Sequence, residues 1–183
     1  ARCAATATIE VLARAHPSFQ YWFRSYVGAR EPLPDGFLDV GAGRPFATAK
    51  QLAGLPPTDA HEVLLVDAST DAPLAALIER ARLDAAKAEP AAAAAAALAN
   101  IVSDALGGAV DYEEYAHYDC GRAVADAKAR AASDVVPLGA LEKGGARHRA
   151  LLYKVLADRC GVACELRASG RARGAHARHA WVV

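Results

Sequence analysis

The sequence predicts an α+β fold: a helical N-terminal part packed on a small antiparallel sheet, with a central helix starting near Ala146. Three observations predict it. Apolar residues recur at helical spacing in several long stretches, the clearest being Leu151, Leu152, Val155 and Leu156. Short apolar runs bounded by turn residues, such as Glu62 to Asp67 (EVLLVD), read as strands. A length of 183 residues suits one domain with a sizeable core, taken here as residues 1–183.

Taking the elements in order, Thr6 to Val27 reads as helical. Ile9, Leu12, Ala13, Phe19, Tyr21, Trp22, Phe23 and Tyr26 form a dense apolar band, and Pro17 predicts a kink near His16. Gly28 to Gly43 reads as a loop with Pro32 and Pro34, and a short helix is expected at Ala47 to Ala53. After the Glu62–Asp67 strand, Asp71 caps a helix with Pro73 in its first turn. Leu74, Leu77, Ile78 and Ala81 supply its buried side. An alanine-rich helix follows from about Ala91 to Leu106, and Gly107-Gly108 stops it.

Val110 to Ala131 carries Tyr112, Tyr115 and Tyr118 without a clear period, although Arg122 to Ala132 looks helical. Val135 to Leu138 is a short apolar approach to the turn Gly144-Gly145. That turn opens a helix from Arg147 to Cys160, ended by Gly161. Val162 to Ala168 alternates as a strand, and His179 to Val183 (HAWVV) reads as another.

Composition narrows the function classes. The chain has 21 basic and 21 acidic residues, so no global field favours nucleic acid or an anionic membrane. Much of its 54 % hydrophobic content is alanine, and no apolar run reaches the roughly 20 residues that span a bilayer. The start shows no basic region followed by a leucine-rich stretch, as a signal peptide would. With no methionine at all, the sequence reads as a fragment of a longer chain. Cys3, Cys120, Cys160 and Cys164 are expected as reduced thiols in a cytoplasmic setting. The Cys160/Cys164 pair lacks a second ligand pair, so packing is expected there and no metal.

The order of glycine turn, helix N-terminus, apolar helix, strand, loop and His-Ala-Trp strand is that of a cysteine–histidine hydrolase. A helix N-terminus favours thiolate, and a histidine from a neighbouring strand acts as base and then as acid. The stretch Ala146 to Ser169, led by Gly144-Gly145 and followed by His-Ala-Trp, resembles the papain-like/transglutaminase-like pattern. More narrowly, the chain resembles the peptidase-like domain shared by plant Raf-like kinases of ethylene and defence signalling and by ciliary armadillo-repeat proteins. Tyr21 to Phe37, Glu62 to Leu77, Leu98 to Gly108 and Val135 to Leu156 carry the match.

That family pattern reads Gly-x-Cys-Arg-His/Glu-Arg-Ala-Leu-Leu. Here the cysteine position is Ala146, whose methyl cannot attack a carbonyl. His179 matches the histidine position, and the orienting residue would lie beyond Val183. The resemblance therefore implies a pseudoenzyme without cofactor or metal, with a degenerate site at Ala146 and His179. It implies a protein–protein interaction or scaffolding module, in an armadillo-repeat protein of the ciliary or flagellar axoneme.

Arg147, Arg171, Arg173, Arg178 and Trp181 are the candidate partner-binding residues. Arg147 and Arg149 can also pair structurally with core carboxylates, and the basic run from Arg167 to Arg178 can be a solvated loop. Partners are expected to be proteins of a larger, microtubule-associated assembly rather than membrane or nucleic acid. Acidic tubulin tails suit the basic run, although RNA would fit its charge as well. Cys120 is a remote substitute for the missing thiol.

Two other readings stay open at this point. One is the N-terminal regulatory domain of a Raf-like protein kinase. The other is a methyltransferase using S-adenosylmethionine, suggested by Leu38-Asp39-Val40-Gly41-Ala42-Gly43 and the acid ending Glu62 to Asp67. Against the latter, Arg44-Pro45 replaces the third glycine, and Pro45 removes an N–H where the loop should enter a helix.

Overall fold

The computed structural model describes residues 8–13, 61–66, 68, 70–111, 114, 118–133, 135–168 and 180–183, with 8–13, 61–63, 167–168 and 180 described by backbone alone. The expected kink at Pro17, the loop from Gly28 to Gly43 and the helix at Ala47 to Ala53 lie outside these residues.

Strand β1 (Thr8–Ala13) pairs antiparallel with β2 (His61–Val66), Ile9 opposite Leu65 and Val11 opposite Val63. The expected helix from Thr6 to Val27 is thus corrected at its start. Thr8, Ile9 and Val11 are β-branched and fit an extended chain, and the β2 edge supplies the hydrogen-bonding partner. On its other side β2 pairs parallel with β3 (Val135–Pro137), Val63 opposite Val135. The three-stranded sheet is therefore mixed, in the order β1-β2-β3, and the expectation of a purely antiparallel sheet is corrected. Parallel strands need a long crossover, and the chain between β2 and β3, with three helices among its described residues, provides it.

Those helices are α1 (Ala72–Lys87), α2 (Ala91–Ala105) and α3 (Gly121–Ala131). Helix α1 begins as its sequence dictates. Asp71 Oδ1 accepts the Leu74 N–H at 3.0 Å, with Pro73 in the first turn. The other carboxylate oxygen accepts the Gly139 N–H at 2.8 Å. Asp71, only 4 % exposed, thereby fastens α1 to the 3-10 turn Leu138–Ala140 that follows β3. Gly139 is needed there, because any side chain would run into the Asp71 carboxylate and the Leu74 nitrogen.

Helix α4 (Ala146–Cys160) lies at the centre. Leu151, Leu152, Val155, Leu156 and Ala157 are at most 1 % exposed. They join Leu74 and Ile78 of α1, Leu98 and Ile101 of α2 and Leu64 of β2 in one core. A fully buried leucine stabilises by about 1.5–3 kcal/mol, so this helix is the chief apolar tie between layers. Gly161 ends it with φ +71°, and the Val162 N–H turns back to the Ala157 carbonyl at 2.9 Å.

Strands β4 (Leu166–Ala168) and β5 (Ala180–Val182) form an antiparallel ribbon, extended by reciprocal Glu165–Val183 backbone bonds of 2.7 and 3.0 Å. Both strands pack on α4. The mixture of helices and small sheets agrees with the expected α+β class.

Candidate functional site

The first turn of α4 is where the sequence points, and the structure starts that helix at Ala146, with Gly145 at the cap. Gly145 has no side chain to accept a first-turn N–H. His148 works in the reverse direction: its Nδ1 accepts the Gly145 N–H at 3.0 Å, one half of a capping box. The imidazole is fully buried.

Arg149 holds the turn from the other side. Its Nε donates to the Gly144 carbonyl at 2.9 Å, and its Nη2 donates to the Leu106 carbonyl at 2.7 Å and to Tyr118 Oη at 3.1 Å. The Tyr118 hydroxyl donates to the same Leu106 carbonyl at 3.1 Å, and the Gly144 N–H does so at 3.3 Å. Leu106 caps the C-terminus of α2, the negative end of that helix, so a guanidinium there is favoured by the dipole as well. Lys143 Nζ stands 4.5 Å from the Tyr118 ring centre and Arg149 Cζ 5.6 Å from it. The expected carboxylate pairing of Arg149 is not found among the described residues, where its partners are two carbonyls and a phenol. Gly144 is buried beneath this cluster, and a side-chain carbon on it would fall 2.7 Å from His148 Cβ.

The structure brings one further residue to this turn. Cys120, at the cap position of α3, is half-buried and stands beside the His148 imidazole. A side-chain carbon on Gly145 would stand 3.3 Å from Cys120 Sγ and 3.9 Å from His148 Nδ1, so thiol and imidazole meet over that glycine. The His148 imidazole is the main influence holding the thiol pKa below its ordinary value; burial opposes it, while the Arg147 guanidinium and the Gly145 backbone reinforce it. Cys160, at the opposite end of α4, shifts the other way because burial dominates.

Of the predicted site residues, Ala146 occupies the helix start as expected, and Arg147 is half-buried beside it. Trp181 lies in β5, opposite Arg167 in register and 37 % exposed. His179, Arg171, Arg173 and Arg178 lie outside the described residues, as does the glycine stretch Leu38 to Gly43. No group of three or more metal-ligating side chains occurs among the described residues. No described helix is long and apolar enough to cross a membrane. The pairing of Cys120 with His148 was missed by sequence reasoning. The only sequence signal was a histidine three residues after a helix-capping glycine.

Comparison with known proteins agrees with this architecture. Residues 13–183 match the family described as EDR1/CTR1/ARMC3, peptidase-like. The chain is 33 % identical over 164 residues to the probable serine/threonine-protein kinase SIS8 of Arabidopsis thaliana, covering 81 % of this chain and 16 % of the kinase. It is 38 % identical over 69 residues to human armadillo repeat-containing protein 3, covering 38 % of this chain and 8 % of that protein. The chain thus spans a small part of the relatives it matches. No solved structure matches. With its helix start, glycine turn and buried α4 core in place, the chain belongs to the EDR1/CTR1/ARMC3 peptidase-like family.

Proposed function

We propose that this chain is a non-catalytic peptidase-like module that binds protein partners within a larger protein. The observation that carries this reading is the methyl side chain of Ala146 at the first position of α4. The family pattern puts its thiol at that position, where the helix dipole would favour a thiolate. The surrounding polar side chains also have structural employment. Arg149 ties three backbone and phenol oxygens, and the Lys154 ammonium, 2 % exposed, is held by Asp158 Oδ1 at 2.9 Å and the Cys164 carbonyl at 2.8 Å. We place the parent protein among armadillo-repeat proteins of the axoneme, with the basic run to Arg178 and the exposed Trp181 facing the partner.

The longer match to the plant kinase favours a second reading, a regulatory domain of a Raf-like kinase. The flanking coding sequence separates the two: armadillo repeats upstream support the first and a kinase domain downstream the second.

The test of inactivity is hydrolysis of activated esters and amides by the purified chain. The expected rate equals that of buffer, while Ala146→Cys, made in a Cys120→Ser background, gains electrophile labelling at position 146. Turnover by the parent that is abolished by Cys120→Ser would overturn the non-catalytic reading.

A further inference from the structure

Tyr118 is a phenol set among cations that have donors to spare. Its hydroxyl donates to the Leu106 carbonyl at 3.1 Å and accepts from Arg149 Nη2 at 3.1 Å. The other Arg149 bonds use Nε and the same Nη2. Among the described residues Arg149 Nη1 enters no hydrogen bond or ion pair, and Lys143 Nζ meets only the Tyr118 ring, 4.5 Å from its centre. The space beside the phenol oxygen is open because Gly107 borders it. A side-chain carbon on Gly107 would stand 3.1 Å from Tyr118 Oη and 3.2 Å from Lys143 Cγ. Tyr118 is half-buried and begins a stretch, 118–120, that is neither helix nor strand. Asp111, Glu113 and Glu114 precede it in the sequence and Asp119 follows. The Asp119 carboxylate is engaged locally, its Oδ1 accepting the Gly121 N–H at 2.7 Å.

We propose that Tyr118 is a phosphorylation site whose phosphate is held in place by Arg149 and Lys143. Tyr118 Oη attacks the γ-phosphorus of a nucleoside triphosphate in the site of a protein tyrosine kinase. A bond forms from that oxygen to phosphorus as the bond from phosphorus to the β,γ-bridging oxygen breaks. The nucleoside diphosphate leaves, and the phenol proton passes to a base of the kinase. The acidic residues around Tyr118 give a charge pattern that a basic kinase cleft selects. Hydrogen bonds hold the hydroxyl of a half-buried ring in an irregular stretch, so local opening presents it to the kinase.

The modification ends the donation from the hydroxyl to Leu106, whose carbonyl keeps Arg149 Nη2 and the Gly144 N–H. In exchange a dianion faces the unused donors of Arg149 and Lys143. The C-terminus of α2 repels it with roughly half a unit charge, whereas each of these side chains attracts it with a whole one. Attraction wins, so phosphorylation tightens the joint between α2 and α4.

The test uses the whole chain with a broad-specificity tyrosine kinase and magnesium ATP, followed by peptide mapping by mass spectrometry. Phosphate is expected at Tyr118. A second preparation carries phosphotyrosine placed at position 118 by genetic encoding, so that capture is read at this position alone. Its urea midpoint is expected about 0.5 M above that of the parent at low salt. The rise should shrink at least about twofold in about 1 M sodium chloride, where the screening length is about 3 Å. Lys143→Gln should leave the unmodified midpoint within about 0.2 M and remove about half of the rise. Absence of phosphate at Tyr118 after kinase treatment would overturn the proposal. So would a midpoint that the phosphate does not raise, or a rise that neither salt nor Lys143→Gln reduces. The non-catalytic reading is independent of each of these results, since it is decided by turnover and by labelling at position 146.

Discussion

Replacing Arg149 by methionine keeps most of the side-chain volume and removes the fork that joins the ends of two helices. Three hydrogen bonds are lost, at 2.9, 2.7 and 3.1 Å. A hydrogen bond to a charged group contributes about 1.5–3 kcal/mol net. The Leu106 carbonyl keeps two other donors, Tyr118 Oη and the Gly144 N–H, so its loss is softened. The expected total is about 2–4 kcal/mol, below the simple sum because the partners are shared. Urea unfolding with a slope of about 2 kcal/mol per molar converts this into a midpoint lowered by about 1–2 M, the slope itself unchanged. Arg149→Lys restores a point charge but not the fork, and should recover less than half of the loss. A midpoint for Arg149→Met within about 0.25 M of the parent would refute the claim that this residue is a structural clamp.

Three more outcomes follow from the same geometry. Asp71→Ala removes a helix cap and the acceptor for the Gly139 N–H, and should lower stability by about 1–3 kcal/mol in thermal or urea unfolding, with Asp71→Asn losing less. The lowered Cys120 pKa means that the folded state releases its proton first. The thiolate's contribution to stability is complete above the ordinary value of 9.0 and is lost as pH falls through the lowered folded value. The stability of the parent minus that of Cys120→Ser should therefore rise between neutral pH and pH 9.0, and a flat difference would contradict the pairing. If the axonemal reading holds, the chain sediments with intact microtubules more than with microtubules trimmed of their acidic tails. Arg171, Arg173 and Arg178 changed together to serine should abolish that preference, each exposed pair contributing about 0.2–1 kcal/mol.

The parts of this fold that were legible in the sequence are those with local causes. Asp71-Ala72-Pro73 announced the start of α1, and Gly107 and Gly161, at φ +92° and +71°, mark the stops of α2 and α4. The apolar run of β2 was readable because turn residues bound it. Strand β1 was misread because its six residues precede an aromatic-rich band whose spacing suggested a helix through both. Pairing direction was not readable at all: β2 and β3 are parallel because of where the intervening helical segment carries the chain, which no local pattern encodes. The core side of α4 was visible as a period, whereas the Cys120–His148 contact joins a segment without periodicity to a helix start.

The retained Arg-His-Arg run at the head of α4 does not require retained catalysis. Arg149 closes the C-terminus of α2, His148 caps α4 in the absence of a capping side chain on Gly145, and Gly144 leaves room for His148 and Leu106. Each of these tasks serves the packing of a helix whose apolar side is entirely buried. A nucleophile at position 146 contributes to none of them. On the proposed reading, alanine at this position leaves out a nucleophile without withdrawing any of these contacts, and alanine is a good helix former. On these physical grounds the framework can keep its packing without a thiol at position 146.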